Sequence, residues 1–354
     1  MDPVAHTLFG AALAETGLRR ATRYAAATLL ISANLPDIDV IAHVAGSDTS
    51  LYFRRGWSHG VLALILLPVI LTGLIWLWHR WRSQASSAHP VFRPAAVLGL
   101  SYIGVISHLL LDWMNTYGVR LLMPFDDRWF YGDTLFIIDP WFWLLAAVGV
   151  VLACSRRMSA IAGWVLLASL ASVLILTSDL APTGVKLLWL VGVAAVVALR
   201  WPGFRAKLAQ SVTRAGLAAL VVYVGAAYGM ARFAESTLAN QYPEADTVQA
   251  NPMPGQPHAH RMVVAEDGHY HIHKPDGETL SVERRAPDAV VRQAMADESV
   301  RGFMEWTRFP YWEVEETETG WVVHFNDLRY VEPGKRRGGI GYARAEVTED
   351  SIDN

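Results

Sequence analysis

The chain has 354 residues, of which 53% are hydrophobic and only 18% charged, with 14 Trp and a formal net charge of −3. Soluble globular domains carry about 25% charged residues, so this deficit excludes a disordered or fibrous chain and argues against a purely soluble enzyme. The near-neutral balance offers no basic surface for nucleic acid. The single cysteine, Cys154, excludes an intramolecular disulfide framework and any CxxC motif. Lying in an apolar run, it reads as an inert buried thiol.

Crossing about 30 Å of hydrocarbon takes roughly 20 helical residues, with about 17 sufficing. In chain order the first apolar stretch is 4–18, which holds His6 and Glu15. It lacks the basic start and cleavage site of a signal peptide. The next, 24–44, is apolar apart from Asn34, Asp37 and Asp39. Clear spanning candidates follow at 61–78, 94–111, 160–178 and 215–234, with shorter ones at 141–154 and 185–199. Beyond residue 239 the chain becomes rich in charge, Pro and Gly. Residues 240–257, ending in NPMPGQP, read as a linker. Alternating stretches at 261–264, 269–273, 311–315, 321–325 and 340–347 read as strands, and 287–306 as a helix. The expected fold is mainly α: a polytopic helical membrane domain with a C-terminal soluble α+β domain. Residues 1–140 form its metal-site part, 141–239 add spanning helices with few charges, and 258–354 form the soluble domain.

If every apolar stretch crosses, one set of connections holds Arg19, Arg20, Arg23, Arg80, Arg82, Arg93, Arg156, Arg157, Arg200, Arg205, Lys207 and Arg214. The other holds Arg54, Arg55, Arg120, Arg128 and Lys186. Positive loops stay cytoplasmic, so the first set faces the cytoplasm. The C-terminal domain is then extracytoplasmic, in the periplasm of a bacterial inner membrane or its equivalent.

Ionisable side chains inside apolar segments are costly and point to function. Here they are His6, Asp37 and Asp39 in LPDID, His59 in RRGWSHG, and His108 and Asp112 in SHLLLDW. Imidazole and carboxylate are ligand types for a divalent metal. His108 and Asp112, four apart on a helix, share one face, although a structural His–Asp pair would have the same spacing. Pro36 breaks the helix at LPDID, and helix capping accounts for one Asp there but not two. An interfacial anchor accounts for Trp57 and the arginines and leaves His59 unexplained. The loop-charge orientation places all six side chains toward the outer leaflet.

Several motifs together resemble the YdjM-type family of LexA-regulated inner-membrane metal-dependent hydrolases. They are His6 with Gly10, Leu35 to Asp39, Arg55 to Gly60, Ser107-His108 through Asp112, Asn115 to Gly118 and Ile138 to Pro140. The match covers roughly the first 150 residues. The arrangement is similar, more distantly, to zinc-dependent phospholipases C and related nucleases. The resemblance implies a hydrolase without naming its substrate. Bound Zn²⁺ lowers the pKa of water from 15.7 to about 7, which suits hydrolysis of an ester or phosphoester. The ligands expected are His6, Asp39, His59, His108 and Asp112, with Asp37 a sixth ligand or the base. Arg54 and Arg55 are placed to neutralise a phosphate. Zn²⁺ is the first choice of ion, with Mn²⁺ or Mg²⁺ as alternatives. A site at a leaflet surface suits membrane lipids or another lipid-like phosphoester as substrate. The competing classes are a metal or proton transporter and a membrane protein with a structural metal.

Other features have structural readings. Asp139–Pro140 reads as a helix start, and Asp126, Asp127 and Asp133 lie in the same loop. His269, His271 and His273 alternate on one strand face, with His258 and His260 nearby, which allows a second metal site. Trp141, Trp143 and Tyr131 fit an aromatic belt, and His79 fits an interfacial anchor. His43, His89 and His324 have no partner legible in the sequence.

Overall fold

A computed structural model describes residues 1–45, 51–82, 90–200, 205–334 and 339–349. Among the described residues, these longer α-helices precede the sheets: α1 (Pro3–Glu15), α2 (Ala25–Ser32), α3 (Val61–Arg82), α4 (Pro94–Trp113), α5 (Pro140–Cys154), α6 (Met158–Thr177), α7 (Thr183–Leu199) and α8 (Arg205–Ala239). Between α2 and α3 lies a 3-10 stretch, Leu35–Ala45. Helix starts follow their capping chemistry. Asp2 accepts from Val4 N and Ala5 N ahead of Pro3, and Asp139 accepts from Phe142 N ahead of Pro140.

Among the described residues, five helical segments are long and apolar enough to cross a membrane: Ala25–Ala42, Val61–Arg82, Pro94–Trp113, Met158–Thr177 and Leu208–Ala239. Helices α5 and α7 are apolar but shorter. On α3, α6 and α7, Ile65, Leu66, Val69, Val165, Leu166, Leu187 and Val191 are each more than half exposed. So much outward-facing apolar surface suits hydrocarbon rather than water. The 4–18 stretch does not cross as one helix. Helix α1 has 13 residues, a rise of about 20 Å, and Gly17 turns the chain with φ +123°. The 24–44 stretch is likewise not one α-helix: it changes to 3-10 geometry after Ser32, where Pro36 removes an amide donor.

Two compact units are present. One comprises Met1–Ile38, Ser58–Met230 and Pro252–His258, the other Asp39–Trp57, Ala231–Asn251 and Ala259–Asn354. In the first, Met1, Ala5, Leu8, Leu111, Phe142, Ala146 and Trp189 form a buried core.

The second carries two antiparallel sheets. Strands β1 (Thr247–Met253), β2 (Gln256–Glu266), β3 (His269–His273) and β4 (Thr279–Glu283) form one, in that order. Strands β5 (Pro310–Thr317), β6 (Gly320–Asp327) and β7 (Tyr342–Thr348) form the other, with α9 (Ala289–Ala296) and α10 (Arg301–Trp306) preceding it. The register Val263↔Ile272 and Ala265↔Tyr270 puts four buried side chains on one face, where Phe309 and Leu328 join them. Met262 and Val264 on the other face pack with Ala231, Leu238 and Ala250.

Several sequence expectations are corrected. The 240–257 segment is not simply a linker: from Thr247 on it is β1, a tight turn and the start of β2. Their tight turn at Gly255 (φ +65°) rests on helix α5, where Trp141 Nε1 donates to Gly255 O at 2.8 Å. The expected 287–306 helix is two helices, broken where Asp297 accepts from Ser299 N. Trp141 and Trp143 are not a membrane belt, since Trp143 is buried and its Nε1 donates to Asp2 Oδ2 at 3.0 Å. Cys154 is exposed rather than buried, at the last residue of α5.

Candidate metal centre

Asp37, His59, His108 and Asp112 each offer a ligand atom, and these atoms all lie within 4.8 Å of one another. Three elements supply them: the 3-10 stretch, the turn before α3, and two positions one turn apart on α4. Close packing makes this possible. A Cβ on Gly104 would sit 1.8 Å from Ser32 Oγ, and one on Gly10 would sit 2.9 Å from both Ala33 Cβ and Leu29 O. Helices α1 and α4 therefore meet the end of α2 backbone to backbone.

That contact sets the state of His108. Its Nδ1 lies 2.7 Å from Ala33 O, and a carbonyl can only accept, so Nδ1 carries the proton. The lone pair of a neutral His108 is then on Nε2, facing the cluster. Metal-ligating histidines are held this way, with the second ring nitrogen donating to a carbonyl or carboxylate. His59 Nδ1 lies 2.8 Å from Ser58 Oγ. Its Nε2 is 3.1 Å from both His108 Nε2 and Asp112 Oδ2. His108 Nε2 is 3.5 Å from Asp112 Oδ2 and 3.8 Å from Asp37 Oδ1.

These separations suit one shared ion. Ligand atoms about 2.0–2.1 Å from a tetrahedral centre lie about 3.3 Å apart. A single proton on His59 Nε2 cannot satisfy both the imidazole lone pair and the carboxylate oxygen that face it. A cation among all four groups satisfies every lone pair, so the donor set fits a divalent metal. His59, His108 and Asp112 are fully buried, while the Asp37 side chain is 17% exposed, so the approach to the cluster lies on the Asp37 side.

The other expected site residues divide. His6 is buried beside the cluster, with Nε2 3.1 Å from Asp112 Oδ1 and its ring stacked 3.8 Å from that of His108. It is not among the four converging groups, and its Nδ1 has no protein partner among the described residues. Its geometry is that of a donor to Asp112. The Met1 amino group also contacts Asp112 Oδ1. Asp39 is not one of the four either. Its Oδ2 accepts from the backbone of Arg55 at 2.8 Å, which holds Arg55 in a left-handed conformation with φ +52°. The Arg55 side chain is buried, and Arg54 is half-buried. Spacing gave no sign that Ala33 carbonyl would orient His108, because a backbone group carries no residue signature.

The remaining candidates have structural partners. Asp139 caps α5 and accepts from Tyr223 OH at 2.7 Å. Asp126 accepts from Arg128 Nε at 2.7 Å. His269, His271 and His273 do share a face. His271 and His273 lie against Tyr242, and His273 Nδ1 is 3.0 Å from Thr279 Oγ1. Neither they nor His258 and His260 join a metal-type group among the described residues. His79 stacks on Phe92 at 4.1 Å. His324 lies 2.8 Å from Tyr342 OH and 3.2 Å from Glu315 Oε2. His89 and the His43 side chain fall outside the described residues.

The model of the YdjM inner membrane protein family matches residues 1–181, which include the whole cluster. A model of the YfhP C-terminal alpha/beta plait domain matches residues 289–336. The chain is 25% identical over 124 residues to the uncharacterized protein YfhP of Bacillus subtilis (strain 168), a match spanning 34% of this chain and 35% of the relative. No solved structure matches, so the more distant likeness to zinc-dependent phospholipases C rests on the residue pattern alone.

Proposed function

The chain belongs to the YdjM inner membrane protein family, and from that premise we propose that it is a membrane-bound metal-dependent hydrolase. Its substrate in this reading is an ester or phosphoester of a membrane-associated, lipid-like molecule. The observation that carries the reading is the convergence of two imidazole nitrogens and two carboxylates, with His108 fixed by Ala33 O so that Nε2 faces the cluster. A nitrogen and oxygen donor set of this kind suits Zn²⁺ first and Mn²⁺ next. Such an ion supplies Lewis-acid polarisation of the ester and activation of water.

The protein's own groups have distinct tasks. His59, His108 and Asp112 would hold the ion from the buried side. His6 donates to Asp112 Oδ1 and fixes the carboxylate's orientation. Asp37, the exposed member, faces the approach and is placed to accept a proton from water. The arginine distribution among the loops supports an extracytoplasmic C-terminal domain in the bacterial inner membrane.

Complete burial of His59, His108 and Asp112 favours a second reading, a metal that only staples helices. One experiment separates the two. The purified full chain, loaded with Zn²⁺ or Mn²⁺, is assayed against phosphate mono- and diesters and against phospholipid in mixed micelles. Asp37→Asn is the key variant. Hydrolysis that is lost in Asp37→Asn while the metal stays bound supports the enzyme. Stoichiometric metal without turnover of any ester supports the staple.

A further inference from the structure

A second site lies on the opposite side of α1 from the metal cluster. Val4 and Leu8 flank His6 at two residues' distance, about 200° round the helix. They line a cavity of about 230 Å³ between α1, α5, α6 and α7. Its wall includes Trp143, Ala147, Trp164, Ala168 and Trp189. A void so apolar does not hold ordered water. Nor is it sealed: Val165 and Val197 on its wall are 59% and 62% exposed, so it opens sideways toward the surroundings of α6 and α7. From Trp143 to Ser155 it follows α5 for twelve residues, about 18 Å. Those are the dimensions of a hydrocarbon chain.

The polar lining is confined to one end. Arg200 Nε donates to Ser155 Oγ at 2.6 Å, and its NH2 group donates to Ser155 O. That leaves three of the five guanidinium donors uncommitted. No carboxylate pairs with Arg200 among the described residues. Arg156 and Arg157, both exposed, follow Ser155 directly and likewise have no ion pair among the described residues. A slot for one chain with Arg200 at its polar end, and two further arginines next in sequence to Ser155, is complementary to an amphiphile with an anionic head.

We propose that this slot binds a membrane lipid with an anionic headgroup, its acyl chain between α1, α5, α6 and α7 and its phosphate at Arg200. The site is distinct from the metal cluster, because α1 stands between them. The bound lipid is therefore a resident that braces α1, not the molecule presented to the metal.

The test uses the full chain in neutral detergent and native mass spectrometry. Phosphatidylglycerol and phosphatidylcholine with identical chains are added in equal amounts. The cation at the head of the slot should favour the anionic lipid by on the order of tenfold. Arg156→Gln/Arg157→Gln/Arg200→Gln should equalise the two lipids, and Ala168→Trp, which fills the slot, should abolish retention of both. Ala147→Leu serves where Ala168→Trp fails to fold. Equal retention of both lipids by the wild type would overturn the proposal. So would full retention of phosphatidylglycerol by a folded slot-filling variant. Metal content is measured in the same samples: its independence from lipid retention keeps this site's failure separate from any failure of the metal centre.

Discussion

Asp112 and Asp39 both sit in apolar sequence, yet their surroundings give them different work. Asp112 has His59 Nε2 at 3.1 Å on one oxygen and His6 Nε2 at 3.1 Å on the other, all fully buried. Asp39 meets a backbone amide instead. Asp39→Ala should therefore keep the metal-to-protein ratio of the wild type and cost about 1 kcal/mol of stability, read from denaturant midpoints. Loss of metal in that variant would return Asp39 to the ligand set. The sequence marked both residues as anomalous but could not separate them, since one spacing fits a ligand and a backbone cap alike.

In the C-terminal sheets the decisive residue is Asp327. Burial alone would raise its carboxyl. The charge of Arg329, with hydrogen bonds from Arg329 and Thr307, outweighs burial and holds it below the usual carboxylate range. A depressed folded pKa contributes stability that is present above the unfolded value, about 3.9, and lost as pH falls through the folded value. Unfolding of the C-terminal sheets should thus become easier below about pH 4, followed by Trp fluorescence. Asp327→Asn should flatten that dependence and lower stability by about 3–5 kcal/mol at neutral pH, because it leaves Arg329 buried without its counter-charge. An unchanged acid limb in the variant would show that the pair is not its source.

Among the elements, α4 does most to build the centre. Its positions 108 and 112 were legible as one helical face, and the apolar runs gave α3, α4, α6 and α8 in outline. What spacing could not convey was how closely α2 approaches. Gly104 lets Ser32 and Ala33 reach α4, and Ala33 O then orients His108. Gly104→Leu should overpack this contact, cost about 1–3 kcal/mol, and lower metal occupancy without touching a ligand. Occupancy equal to wild type would mean the approach is not needed. In the sheets, the alternation at 269–273 predicts a strand, and β3 has those bounds. β1 was hidden because Pro and Gly in 251–257 carry the signature of a loop, and here they make a hairpin turn. β4 (TLSVE) is short and lies at the edge of its sheet. Its half-exposed side chains give a weak apolar signal.

At the scale of the whole molecule, composition alone separated a membrane part from a charged C-terminal part, and both are present. The likeness of 289–336 to the YfhP C-terminal alpha/beta plait domain has no counterpart in the motifs, because that segment is held by packing rather than by a ligand pattern. The side of the membrane on which this part lies can be read chemically. Glu278→Cys, at a side chain 54% exposed, in a Cys154→Ser background, should react with a membrane-impermeant maleimide in intact spheroplasts. Reaction only after lysis would reverse the orientation.

The central claim is that Asp37, His59, His108 and Asp112 hold one divalent ion. It is tested most directly by metal analysis of the purified full chain after metal loading and dialysis, with His108→Ala and Asp112→Ala alongside and Asp39→Ala as the folded control. Near-stoichiometric Zn²⁺ or Mn²⁺ is expected in the wild type and the control, with loss in both ligand variants. Wild-type protein that stays metal-free after loading, or ligand variants that keep their metal, would contradict it and leave these side chains as a buried polar junction between helices.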